Sequence, residues 1–111
     1  DRYRELLADV EGVRTPVARV GNEDVWHVYV VQVKERARVM AEMSAGGVGV
    51  AIHYPTPVHL TRAYADLGYR RGQFPVSEAS ADRILSIPMF PHLTAEQQEQ
   101  VVRQLRRSVR P

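Results

Sequence analysis

Apolar residues near the start of the chain fall at Tyr3, Leu6, Leu7 and Val10, the i, i+3, i+4, i+7 spacing of a single helical stripe. The pattern predicts a short amphipathic helix from Arg2 to Val10, ended by Gly12. Pro16, Gly21 and Asn22 then interrupt any period, so Thr15 to Asp24 reads as a loop or ragged strand. From Val25 to Val33 both alternating faces are largely apolar: Val25, His27, Tyr29, Val31 and Val33 on one, Trp26, Val28, Val30 and Gln32 on the other. That predicts a central strand covered on both sides.

A helix is expected from about Glu35 to Ala45, with Val39, Met40 and Met43 turned inward and Gly46 placed to end it. Val48 to Ile52 reads as a second, shorter strand. A short helix is expected over Thr61 to Leu67, closed by Gly68, and a polar turn over Tyr69 to Phe74. Pro75 suits the first turn of a helix running to Leu85, and Ile87 to Phe90 is a short apolar segment between Pro88 and Pro91. In the last helix Thr94 is the N-cap, with Gln97 three residues on in capping-box spacing, and Val101, Val102, Leu105 and Val109 form its stripe. Helices and strands mix without regular βαβ spacing, which predicts an α+β fold with a small sheet covered by helices. No repeat or linker divides the chain, so residues 1–111 are expected to form a single domain.

Composition narrows the function classes. With 44% hydrophobic and 25% charged residues the chain has ordinary globular values. The absence of Cys excludes disulfides, thiolate metal sites and a Cys nucleophile, and fits an intracellular protein. No apolar run approaches the ~20 residues of a membrane span, and no signal-peptide pattern is present. The chain begins at Asp1 rather than Met, so it is expected to be a piece of something longer. The net charge of +2 is small, with Arg103, Arg106, Arg107 and Arg110 near the C-terminus. A solvated helix face accounts for them better than a nucleic-acid surface does.

The candidate chemistry concentrates in Ile52-His53-Tyr54-Pro55-Thr56-Pro57-Val58-His59-Leu60. Each proline fixes its own φ and pushes the preceding residue toward extended backbone, so Tyr54 and Thr56 sit on a stiff path. A stiff loop carrying polar rings suits holding a ligand. Three convergent metal ligands are not in view, because the nearest acid downstream of His59 is Asp66. His27, mid-strand, reads as a core or interface histidine, and His92 as a surface or packing residue. Ser44, Ser77, Ser80, Ser86 and Ser108 are expected in helices or at their ends, none within a nucleophile elbow. The acids fall mostly on predicted exposed faces, and no carboxylate pair stands out for general acid–base work. Gly46-Gly47-Val48-Gly49 follows a helix and lacks a Walker lysine, so it reads as a cap and tight turn. These residues make no self-sufficient active site; the loop could complete one built elsewhere.

Several blocks are familiar together: Val25 to Val33 followed by Lys34-Glu35-Arg36; Gly49-Val50-Ala51-Ile52-His53-Tyr54-Pro55; His59-Leu60; Ala63-Tyr64; Leu67-Gly68-Tyr69; Phe74-Pro75-Val76; Ile84 to Pro91; Leu93-Thr94; and Gln97-Gln98. In order and spacing they resemble the DegT/DnrJ/EryC1/StrS family of sugar aminotransferases over nearly the whole chain from Val25. The resemblance implies the small C-terminal domain of the aspartate-aminotransferase fold (fold type I), with a short, mostly antiparallel sheet. It implies a whole protein that uses pyridoxal 5′-phosphate to move an amino group, typically from glutamate, onto a nucleotide-linked keto sugar. The partners implied are an N-terminal cofactor-binding domain of the same protein and a second copy in a homodimer, in the cytoplasm. The Schiff-base lysine and the acid that pairs with the pyridine nitrogen belong to the family's large domain. Nothing here matches them, and Lys34, the one lysine, reads as structural or solvated. No catalytic or cofactor-binding residue is therefore expected in this chain, nor cofactor bound to it alone.

The family's His-Tyr-Pro loop faces the active-site cleft, which implies substrate contacts for His53, Tyr54 and His59. The alternative is that His53 and Tyr54 only brace a domain interface. Thr61 and Arg62 stand where many relatives have Gln and Pro, and Ala51 where Gly or Thr is frequent, which leaves the sugar open. Two other function classes stay in view: a free-standing binding module using the Arg-rich last helix, and a dehydratase or regulatory relative in the same family.

Overall fold

Tyr29, Val31 and Val33 are buried while Val30 and Gln32 between them are half-buried, and this alternation belongs to the central strand of the sheet. The computed structural model describes residues 2–110. In chain order they form α1 (Arg2–Leu7), β1 (Val13–Arg14), β2 (Tyr29–Val33), α2 (Arg36–Ala45), α3 (Pro75–Arg83), β3 (Ile84–Ile87) and α4 (Ala95–Ser108), with 3₁₀ segments at Val58–Leu60 and Arg62–Leu67 before α3. The sheet order is β1-β2-β3, antiparallel throughout, with Val13 opposite Val33, Val31 opposite Leu85 and Tyr29 opposite Ile87. This is the α+β architecture expected.

One face of the sheet carries Tyr29, Val31, Val33, Leu85 and Ile87 into a core completed by Tyr3 and Leu7 of α1, Val39 and Met43 of α2, and Val101, Val102 and Leu105 of α4. The helical stripes expected from periodicity are the buried ones; Leu6, Met40 and Val109 pack at the margin of the core. Tyr3 ties α1 down twice. Its hydroxyl donates to the Pro88 carbonyl oxygen (2.7 Å) and its ring lies 5.1 Å from that of Tyr29. Burial, with Tyr29 adding to it, pushes the Tyr3 phenol up to about 12. At α4 the capping box is complete: Thr94 Oγ1 accepts from the Gln97 N–H (3.2 Å) and Gln97 Oε1 from the Thr94 N–H (2.9 Å).

Four sequence expectations are corrected. The central strand starts at Tyr29, not Val25, and Val25 is 95% exposed. The ladder sets the limit: β3 ends at Ile87, opposite Tyr29, and the pairing with β2 goes no further. His27 is accordingly exposed, not a core histidine.

Second, α3 ends at Arg83, and Ile84 to Ile87 form a strand where the helix was expected to reach Leu85. Ile84 already has extended backbone (φ −65°, ψ 139°), and pairing with β2 outweighs a further helical turn. The Arg36 guanidinium donates to the carbonyl oxygens of Ala81 and Ile84 at this junction, satisfying acceptors freed by the helix end. Ser86 is thereby a strand residue rather than one in a helix or at its end.

Third, Val48 to Ile52 forms one rung rather than a strand: Ala51 pairs with Ser86 through N···O distances of 3.1 and 2.8 Å. The next rung would set Gly49 against Pro88, which has no hydrogen to give. Fourth, α1 ends at Leu7 rather than reaching Val10, which is buried beyond the helix end. The short helix expected over Thr61 to Leu67 is present as a 3₁₀ segment, Arg62–Leu67, kinked at Tyr64 and closed by Gly68 with φ 72°.

Candidate functional site

The loop after Ala51 is anchored at two places. Ser86 lies on β3 between Leu85 and Ile87, so its side chain points to the sheet face opposite the core. Its backbone holds Ala51, and its Oγ lies 2.8 Å from His53 Nδ1. One strand residue thus fixes both the entry of the loop and the ring that opens it. The His53–Tyr54 peptide is cis, and the two rings meet edge to face with centroids 5.5 Å apart. Tyr54 projects outward, 74% exposed. Farther on, Pro57 is buried, and its carbonyl oxygen accepts from the Leu60 N–H at 2.9 Å to start the 3₁₀ turn.

The second anchor is His59. Its Nε2 is 3.0 Å from Glu78 Oε1, and both side chains are 9% exposed. Glu78, in the first turn of α3, also accepts from the Gly72 N–H at 2.8 and 2.9 Å and from the Phe74 N–H at 3.3 Å. The Gly72 N–H first, then His59 and the Phe74 N–H, hold its carboxyl below the usual carboxylate range against the opposing effect of burial. His59 packs on Phe74 (centroids 4.6 Å), and Phe74 meets Tyr69 edge to face (5.2 Å). Val58, Tyr64, Leu67, Tyr69 and Phe74 line a shallow apolar groove on the outside of this cluster.

The structure therefore separates the three site residues proposed from sequence. His53 and Tyr54 form one exposed pair of rings. His59 is turned inward to a carboxylate. Glu78 was missed because it reads as one more helical acid; the available signal was an acid in the first turn of a helix opened by proline, where unpaired backbone N–H groups gather.

Among the described residues no three His, Cys, Asp or Glu side chains converge on a possible metal position. No described helix is long and apolar enough to cross a membrane. Among the described residues, Lys34 does not fit a pyridoxal phosphate site. Lys34 is exposed at the end of β2, beside Arg14 and Arg83 in a shallow depression whose lining contains no carboxylate to pair with a pyridine nitrogen. Basic side chains near the C-terminus are partly neutralised: Arg106 holds Asp9 (2.8 Å) and Arg103 approaches Glu99 (3.9 Å).

Comparison with known proteins joins these features. The DegT/DnrJ/EryC1/StrS aminotransferase family profile matches residues 1–106. The chain is 40% identical to the erythromycin biosynthesis sensory transduction protein EryC1 of Saccharopolyspora erythraea over 94% of its own length and 28% of that protein's. It is 35% identical to the dTDP-3-amino-3,4,6-trideoxy-alpha-D-glucose transaminase of Streptomyces venezuelae, over 90% of this chain and 26% of the enzyme. Its fold superposes on the crystal structure of S. venezuelae DesV with a TM-score of 0.93 and 33% identity, covering 99% of this chain and 30% of that one. The chain thus spans less than a third of the length of these relatives. It belongs to the DegT/DnrJ/EryC1/StrS aminotransferase family.

Proposed function

We propose that residues 1–111 are the small, C-terminal domain of a pyridoxal-phosphate-dependent aminotransferase that transfers an amino group, typically from glutamate, to a nucleotide-linked keto sugar. The cofactor's lysine and the acid for its ring nitrogen lie on a preceding domain of the same protein, which works as a homodimer in the cytoplasm. The part of this chain in the reaction is to bind and orient the sugar. The observation that carries the reading is the pairing of a fixed imidazole with an outward phenol: His53 held at Nδ1 by Ser86, Tyr54 exposed beside it. An imidazole and a phenol hydrogen-bond sugar hydroxyls or phosphate oxygens, and the Tyr54 ring offers a stacking face. His59 acts through position, fixing the end of the loop on Glu78.

The test is the full-length protein, purified with cofactor and assayed for amino transfer from glutamate to nucleotide-linked keto sugars. Turnover supports the reading. A protein that binds cofactor and sugar without turnover would instead fit the regulatory relative, a reading favoured by the sensory role in the name of EryC1. The ion pairs of Arg103 and Arg106 weaken the case for a nucleic-acid module.

A further inference from the structure

We infer that Ser86 is a positioning residue for His53, setting both its ring orientation and its tautomer, so that the site presents an Nε2–H donor and selects an acceptor oxygen on the ligand. The inference rests on the reading of His53 as part of the sugar-binding wall.

Ser86 is buried on β3, and its N–H and carbonyl are both used by Ala51. Its hydroxyl has one proton to donate. Among the described residues His53 Nδ1, at 2.8 Å, is the acceptor within its reach. Were Nδ1 to carry the proton, the ring would donate to Oγ and the hydroxyl proton would be left without a protein acceptor in a buried position. The neutral ring is therefore protonated at Nε2. In the imidazolium form the hydroxyl becomes the acceptor and Nε2 still carries its proton. In both states the atom facing away from Ser86 is a donor.

The consequence is chemical. His53 meets a hydroxyl, carbonyl or phosphate oxygen through a lone pair, and it does not accept a proton from the ligand at Nε2. The rung between Ala51 and Ser86 makes the arrangement rigid, since loop backbone and ring are referenced to the same strand residue.

Imidazole ¹⁵N NMR on the full-length protein with labelled histidine tests it. Neutral wild-type His53 is expected as a single Nε2–H tautomer with a hydrogen-bonded Nδ1. Ser86→Ala should abolish the hydrogen-bonded Nδ1 signature and average the tautomers, while Ser86→Thr, which keeps the hydroxyl, should retain both. An Nδ1–H tautomer in the wild type, or a His53 spectrum unmoved by Ser86→Ala, overturns the inference. Should Ser86→Ala not fold, the wild-type and Ser86→Thr spectra decide it. The sugar-binding reading fails separately: it is lost if His53→Ala leaves turnover of the full-length enzyme unchanged, whatever the tautomer. With both in place, Ser86→Ala should lower kcat/KM for the sugar about tenfold, and the double variant should lose little more than His53→Ala alone.

Discussion

His59 Nε2 sits 3.0 Å from Glu78 Oε1, and this contact joins the far end of the His-Tyr-Pro loop to the first turn of α3. The same carboxylate closes the turn between Gly72 and Phe74. Loop, turn and helix therefore share one buried acceptor. Because the folded carboxyl titrates below its unfolded value, its contribution is complete above the unfolded glutamate pKa of about 4.3 and is lost as pH falls through the lower folded value. Glu78→Gln should lower the denaturation midpoint at neutral pH and flatten the acid limb of the stability curve. Urea melts of both proteins across the carboxylate range, about pH 3 to 6, check this; parallel curves would contradict it.

The core prediction concerns Leu85, fully buried on β3 beside the site strand residue Ser86. Leu85→Ala should cost about 2–5 kcal/mol through lost burial and the cavity left behind. Chemical denaturation measures it directly. A cost below about 1 kcal/mol would mean that the sheet face is not packed as described.

Thr94→Ala removes the N-cap acceptor of α4, leaving the Gln97 N–H without its side-chain partner. The expected loss is about 1 kcal/mol. Thr94→Ser should recover most of it, because Ser is as good an N-cap acceptor, and thermal melts of the three proteins give the comparison.

Much of this fold was legible in the sequence where a segment's structure depends on its own residues. The α4 stripe, the Thr94–Gln97 box and the Gly46 helix end rest on local spacing, and they appear as expected, while α1 buries Tyr3 and Leu7 but stops short of Val10. The blocks from Val25 to Gln98 carried the family. What could not be read locally were features decided by a partner across space. Val25 to Val28 carry a strand pattern, but the ladder stops before them, because β3 ends at Ile87, opposite Tyr29. Ile84 and Leu85 continue a helical segment yet pair with β2. At the site, the prolines and rings of residues 52–60 marked the loop, but nothing in its own sequence pointed to Ser86 or Glu78. Those anchors lie 33 and 19 residues away from their histidines. Spacing along the chain therefore treated His53 and His59 alike, while their hydrogen bonds give them different tasks.

The central claim is that this chain supplies a sugar-binding wall and that His53 is part of it. The most direct measurement is steady-state kinetics of the full-length, cofactor-loaded protein with the nucleotide-linked keto sugars proposed as substrates, comparing wild type and His53→Ala. The account predicts a loss of at least about tenfold in kcat/KM for the sugar, equivalent to ~1.4 kcal/mol, with the glutamate half-reaction nearly unchanged. Equal kcat/KM values for the sugar in the two proteins would contradict it.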